Sequence, residues 1–491
     1  MATLLCIAGA PAAIVVLVHW MFAVPISSFR PVLNDEVAYW HQALTFSRVG
    51  FHGGYYTTGE LTNASGFTPF GHHGPGFAVV YGSLGALLGW YRHSVLVINF
   101  VAISAAATLW VLLARVQTAR LWLSGLLLLS FWPLLYWAST GMQEGFHHAG
   151  AIAMAAVFAY EVRSDRPSRV PIVAGWVLLA VLSFVRPSWL VLIPIWAICT
   201  VRPRGTKRVI VTIAGSAIVG VAILTAFDRS VAPVPAGFSS LLSSGLRALW
   251  DNAWLNVVKT AALREYQPLE VLHRFQYWLF LIATIVVVVV AGWRVRTGKA
   301  QTWTAPHLVI SSAAMLGALV LMLLLYSLSN FAENRVLSAF LLFGSLLCAA
   351  APTRSALWLV SALVVSNLAT VPMFLASFES ARRDNFIWDR RGVYELADAL
   401  EGKVEYRRDQ SRWCNTLLTS QYPPYLIAVP AGIGLSVVRE ADNLVLPPKS
   451  QYLLLDPPSI ADLAHPLHLE TLARLPYGTL YRNLESNCPQ H

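Results

Sequence analysis

Apolar runs of near-bilayer length recur along the first three quarters of this 491-residue chain, and nothing else narrows its fold so far. About 20 apolar residues in helical form cross a hydrocarbon core about 30 Å thick. The chain is 56% hydrophobic and only 12% charged, a balance found in no soluble globular class. The runs do not alternate polar with apolar residues, as the strands of an outer-membrane barrel would. The expectation is a polytopic α-helical membrane protein. Residues 1–25 lack a basic leader, so the first run reads as a retained span and not as a cleaved signal.

Candidate spans lie near residues 3–24, 94–114, 121–138, 143–160, 170–185, 187–201, 209–226, 275–293, 307–328, 336–351 and 355–375. Phe77–Trp90 is also apolar but has only 14 residues. At 1.5 Å per residue it reaches about 21 Å, too short to cross. Basic loops fall at Arg115…Arg120, Arg163…Arg169, Arg202…Arg208, Arg294…Lys299 and Arg354. All share one side if the spans alternate, and the positive-inside rule makes that side cytoplasmic. The formal charge of +10 is explained in the same way and gives no argument for a nucleic-acid partner. With Phe77–Trp90 as a juxtamembrane or re-entrant piece, the count is eleven spans, N-terminus inside and C-terminus outside. The setting is a bacterial inner or plasma membrane.

The expected division is a membrane part over residues 1–375 and a soluble α/β domain over 376–491 on the outer surface. The membrane part carries a first outer loop, 26–93, with juxtamembrane helices, and a second long one, 227–273, whose mix of Leu, Trp and charge suits helices lying on the membrane face. In the last region Asp389–Leu400 reads as an amphipathic helix. Asn415–Thr419, Leu435–Val438, Tyr452–Leu455 and Thr479–Tyr481 read as short strands. Cys6, Cys199 and Cys348 lie in apolar runs and read as inert. Cys414 and Cys488 lie in the polar region and can pair if it faces an oxidising compartment, though nothing in the sequence shows that they meet.

Charge is scarce before residue 375, so its placement carries information. Asp35, Glu36, His41, His72, His73, Glu144, His147, His148, Arg186, Glu333, Asn334 and Arg335 all fall toward the outer face, from five separated segments. Ionisable groups at membrane depth are functional-site candidates. Arg186-Pro187 interrupts a 32-residue apolar stretch, which reads as two short spans beside a polar cavity or as one kinked helix with a snorkelling arginine.

The chain here resembles the C-type glycosyltransferases. The features that recur are Asp35-Glu36 soon after the first span, the turn at His73-Gly74-Pro75, Gln143-Glu144 opening a middle span, Arg186-Pro187 between short spans, and Glu333-Asn334-Arg335. The resemblance covers about three quarters of the chain and is nearest to the protein O-mannosyltransferase and aminoarabinose-transferase branch. That branch usually has Lys or His followed by two prolines at the turn, where this chain has His73-Gly74-Pro75. The resemblance implies a polyprenyl-phosphate sugar donor and no nucleotide.

The chemistry of such a transfer names residue roles. The acceptor hydroxyl needs a base, and the departing lipid phosphate needs cations. Asp35 is the expected base, with helix N-capping as its alternative role. Glu36 orients the acceptor or steadies the helix start. Arg186, Arg335 and His73 are the expected phosphate contacts, since a guanidinium binds phosphate in a bidentate fork; the alternative for the two arginines is ion pairing with Glu144 or Glu333. Glu144, His148, Glu333 and His72 complete the expected cavity, and of His147 and His148 at most one would face it. No cofactor is required. Asp35, Glu36, His72, His73 and His148 are ligand types for a divalent metal, yet no His-x-x-x-His spacing occurs and no metal residue is assigned. Partners are the lipid-linked donor, membrane lipids, and a glycan, lipid or protein acceptor. The competing readings are a lipid-linked saccharide transporter or flippase, and an O-antigen polymerase or ligase.

Overall fold

Chain contacts divide the molecule into two units that cut across the sequence. One gathers Met1–Ser28, Leu96–Thr225 and Ala236–Asp384; the other gathers Phe29–Val95, Ala226–Pro235 and Asn385–His491. This computed structural model describes residues 1–22, 34–53, 56–58, 66–68, 70, 74–164, 168–202, 205–229, 245–261, 268–297, 305–325, 335–385, 390–419, 424–437, 448–456, 467–486 and 488.

The first unit is helical. Its elements are α1 (Ala2–Phe22); α4 (Ser94–Ala114), which starts at the unit boundary; α5 (Thr118–Ser130); α6 (Trp132–Ala138); α7 (Glu144–Arg163); α8 (Arg169–Val185); and α9 (Leu192–Val201). They continue with α10 (Thr206–Asp228), α11 (Gly245–Ala261), α12 (Pro268–Arg296), α13 (Ala305–Leu325), α14 (Arg335–Ala350), α15 (Arg354–Ala369) and α16 (Val371–Asn385). The second unit holds α2 (Asn34–Val49), α3 (Pro75–Leu88) and α17 (Arg390–Leu400), with a mixed sheet.

Among the described residues, five helices are long and apolar enough to cross a membrane, or up to seven if each of two bent pairs counts as one span. The bent pairs are α5–α6, at 52°, and α15–α16, at 47°. Each has a proline just past the break, Pro133 and Pro372, which cannot donate into the preceding turn. The other four of the eleven expected spans are α7, which carries two histidines and two glutamates, and the short apolar helices Arg169–Val185, Pro187–Val201 and Arg335–Ala350.

Helix α14 is the innermost, with every side chain from Val336 to Ala350 buried. It packs against α7, α13, α12 and α15. Small residues permit this closeness: a Cβ on Gly344 would lie 2.7 Å from Met315 Sδ. Arg120 and Arg163 reach the carbonyls at its C-terminal end. Arg120 Nη1 donates to Ala349 O (3.1 Å) and to Ala351 O, and Arg163 Nη2 donates to Ala350 O (2.8 Å). Cations there satisfy orphan carbonyls and meet the negative end of the helix dipole. Helix α11 hangs on α13 in a similar way, since Asn252 and Asn256 donate to Leu323 O at 3.3 and 2.9 Å. The exposed face of α11 presents Trp250 and Trp254, which suits a helix at a membrane surface.

In the second unit the sheet has seven strands in the order β2-β1-β4-β3-β5-β7-β6. Four lie close to their expected positions: β3 (Thr416–Thr419), β4 (Gly434–Val437), β5 (Tyr452–Leu455) and β7 (Gly478–Asn483). The strand β6 (Leu469–Leu475), and β1 (Tyr56–Thr58) and β2 (Gly66–Thr68) from the first loop, were not expected. Because β1 pairs in parallel with β4, Tyr56 opposite Leu435, the first loop belongs by contact with the C-terminal region. By contact, this loop, grouped in the sequence with residues 1–375, is counted in the second unit. Helix α3 covers the apolar piece predicted not to cross, and it packs on α2. A Cβ on Gly82 would lie 2.7 Å from Phe46 Cβ, so the two backbones meet without a side chain between them. Cys414 and Cys488 form a disulfide, Cα atoms 5.5 Å apart.

Candidate active site

Glu144 is the first residue of α7, and the turn before it is rigidly held. Asn99 Nδ2, buried in α4, donates to Ala138 O and Thr140 O, each at 3.2 Å. Thr140 Oγ1 donates to Trp137 O and accepts from the Met142 amide. Gly145 leaves room for that asparagine, since a Cβ would sit 2.7 Å from Asn99 Nδ2. The positive end of the helix dipole also favours a carboxylate here.

Two arginines close on this carboxylate. Arg186 ends α8 in an extended conformation, and Pro187–Val191 continues as a 3-10 turn, so the apolar stretch is broken at this residue. Arg186 Nη2 donates to Glu144 Oε1 at 2.7 Å. Arg335 opens α14, and its Nε lies 3.0 Å from the same oxygen. Its guanidinium sits over the Trp137 ring, 5.4 Å from the centroid, a cation–π contact that helps to hold a charge at the wrong end of a helix dipole. Glu144 is 1% exposed and the arginine side chains 12% and 11%. Among the described residues, two guanidinium groups thus meet on one carboxylate.

The histidines beside Glu144 are both engaged. Trp189 Nε1 donates to His147 Nδ1 at 2.9 Å. His148 Nε2 meets Ser338 Oγ at 2.8 Å, and Ser338 in turn donates to the Arg335 carbonyl. His148 therefore locks α7 to the start of α14 and steadies Arg335 through Ser338. Both rings are buried, and they meet different partners, His147 the Trp189 indole and His148 the Ser338 hydroxyl.

His273 and Gln276 were missed in the sequence. Both are buried on α12, which starts at Pro268, ahead of the span expected at 275. His273 stacks on Trp137 with centroids 5.7 Å apart and meets Trp132 edge-on at 5.8 Å. The signal that could have found them is Pro268 as a helix-opening proline, which puts the two polar residues three apart on one face. Glu144 Oε2, His147 Nε2, His148 Nδ1, Trp137 Nε1, both His273 nitrogens and the Gln276 amide have no hydrogen-bond partner among the described residues. Buried polar atoms in such number mark a site for a polar ligand or ordered water.

Asp35 and Glu36 lie in the second unit, in the first turn of α2. Asp35 is half-buried and Glu36 fully buried. Six residues further on, His41 is also buried. Burial pushes its pKa down to about 4, opposed by backbone hydrogen bonding at Pro430 and Val429. His41 is thus a neutral tie between α2 and the C-terminal region. Thr45, one turn on, accepts from the Gly432 amide at 3.2 Å. His72, His73 and Glu333 lie outside the described residues. Among the described residues, no group of three or more His, Cys, Asp or Glu side chains is placed to hold a metal ion.

No family model matches the chain, and no curated protein matches it. Two solved structures do. The crystal structure of ArnT from Cupriavidus metallidurans bound to undecaprenyl phosphate aligns over 98% of both chains, with a TM-score of 0.51 and 12% identity. The apo state of the same protein aligns over 97% of this chain and 98% of that one, with a TM-score of 0.49 and 14% identity. At such identity the likeness is one of fold: this chain shares the fold of that protein.

Proposed function

We propose that this chain is an integral-membrane glycosyltransferase that moves a sugar from a polyprenyl-phosphate donor to an acceptor hydroxyl on the extracytoplasmic side. The observation that carries the reading is the convergence of Arg186 and Arg335 on Glu144 in a fold shared with a protein crystallised with undecaprenyl phosphate. Two guanidinium groups held at one place suit a lipid phosphate, whose charge grows as the sugar leaves. In this reading Asp35 takes the acceptor proton while the acceptor oxygen attacks the anomeric carbon in line. The bond to the phosphate oxygen breaks, its electron pair stays with the phosphate, and the anomeric configuration inverts. Glu36 holds the start of α2, and Arg186 and Arg335 receive the phosphate, with His73 as a further contact. Glu144, His148, His72 and Glu333 shape the polar surroundings.

The sidedness rests on the charge of the loops and on the disulfide, which belongs in an oxidising compartment. The reading keeps eleven crossings, residues 1–375 as the membrane part and 376–491 on the outer surface. The test is Asp35→Asn in purified enzyme with a labelled lipid-linked donor, scored by release of polyprenyl phosphate. Loss of a general base lowers turnover by about 100-fold or more. Unchanged turnover removes Asp35 as the base. Lipid translocation by the wild type without sugar transfer supports a transporter instead.

A further inference from the structure

A cavity of about 240 Å³ opens in the second unit, away from Asp35 and Glu36 in sequence and built wholly from the C-terminal region. Its lining includes Lys403, Glu405, Arg407, Gln410, Tyr452 and Arg482. Tyr452 and Arg482 face one another as a cross-strand pair between β5 and β7. The segment 402–410 follows α17, turning at Gly402 with φ +65°, and brings the other four side chains to the same place.

The cations in this cavity are not equivalent. Arg482 Nη1 is paired with Glu470 Oε2 at 3.2 Å, and Lys403 Nζ donates to Leu472 O at 3.1 Å. Arg407 is bound only through its backbone. Its amide donates to Asn415 Oδ1 at 2.8 Å, and Asn415 Nδ2 donates to its carbonyl at 2.7 Å. Its guanidinium makes no hydrogen bond or ion pair among the described residues. Asn415 is itself buried and adjoins Cys414 of the disulfide. The result is a cation whose backbone is fixed while its charged end is open to a ligand.

The other lining groups are not those of a simple anion site. Glu405 would repel a bare phosphate, yet it lines the same cavity as Arg407, as do the Gln410 side chain and Tyr452. Burial raises the Tyr452 pKa, so the phenol remains a donor at neutral pH. Carboxylate, amide and phenol are the groups that read sugar hydroxyls, while Arg407 and Lys403 read a negative charge. The volume accommodates several water-sized groups, more than one phosphate needs. We propose that this cavity binds an anionic saccharide, a sugar ring bearing one carboxylate or phosphate, with Arg407 on the anion and Glu405 on a hydroxyl.

The proposal does not depend on the transfer reading, because its test measures binding and not turnover. Full-length protein in detergent is titrated with galacturonate, glucose 6-phosphate, glucose and inorganic phosphate by calorimetry. The expected result is saturable binding of one or both anionic sugars in the millimolar range or tighter, at least tenfold stronger than glucose or phosphate. Which of the two wins distinguishes a carboxylate from a phosphate ligand. Arg407→Gln is expected to weaken that binding at least tenfold and Glu405→Gln severalfold. Arg474→Gln, which removes an exposed charge on β6 outside the cavity, leaves it unchanged. Phosphate binding as tightly as the anionic sugars would overturn the saccharide assignment. Absence of binding by all four, or full binding by an Arg407→Gln protein with wild-type thermal unfolding, would overturn the site.

Discussion

Glu144 balances two arginines, so its removal uncovers two buried charges at once. Glu144→Gln is expected to destabilise the protein by about 3–5 kcal/mol, the usual cost of breaking a buried pair from one side. Combining it with Arg335→Met should recover part of that loss, a coupling readable as a double-mutant cycle of thermal unfolding in detergent. His41 offers a test of a different kind. Its pKa is about 6.5 in an unfolded chain and about 4 in the folded protein. Between those values the unfolded state binds a proton that the folded state refuses. Stability from this group is therefore complete above about pH 6.5 and is lost as pH falls toward 4, on the order of 3 kcal/mol across the window. Unfolding midpoints between pH 7 and 4.5 should show that slope, and His41→Gln should flatten it. Asp35, Arg186 and Arg335 stood out in the sequence because charged residues are so rare in the apolar part of the chain. The sharing of one Glu144 oxygen was not legible, because α7, α8 and α14 are far apart in sequence and meet only through packing.

Helix ends carry more of this structure than helix interiors. Arg120 and Arg163 read in the sequence only as charges that orient the chain, yet both close the C-terminal end of α14. Arg120→Ala leaves buried carbonyls unsatisfied and is expected to cost about 1.5–3 kcal/mol, with faster proteolysis at the neighbouring turn as a second readout. The bends at Pro133 and Pro372 have the same logic. Hydropathy joins each pair into one apolar run, and only the missing proline donor shows where it turns. The short strands β1 and β2 had no comparable signal. Three residues apiece, within a polar loop, they become strands only because β4 offers an edge, and that edge comes from nearly 400 positions later in the chain.

Considered whole, the molecule is two units whose boundaries ignore chain order, and the second is stapled by Cys414–Cys488. The bridge closes a separation of 74 residues, and a loop of that size is worth about 4 kcal/mol in the chain-entropy view. Replacing both cysteines with alanine is expected to lower the unfolding midpoint of the second unit while leaving the helical unit's transition in place. Peptide mapping without reduction should recover the two cysteines in one linked fragment. Because Cys414 adjoins Asn415, the same variant should also weaken anionic-sugar binding at Arg407.

Composition and run length were enough to derive a polytopic helical membrane protein with a small C-terminal α/β region, and the rarity of charge gave a set of candidate polar residues. They suffice because membrane insertion depends on local hydropathy and local charge. They say nothing about which distant residues share a site. Arg186 and Arg335 on Glu144, His273 stacked on Trp137, and the first loop feeding its strands into a C-terminal sheet all arise from long-range packing. Such packing selects among faces and edges that look alike along the chain, and only the three-dimensional arrangement distinguishes them.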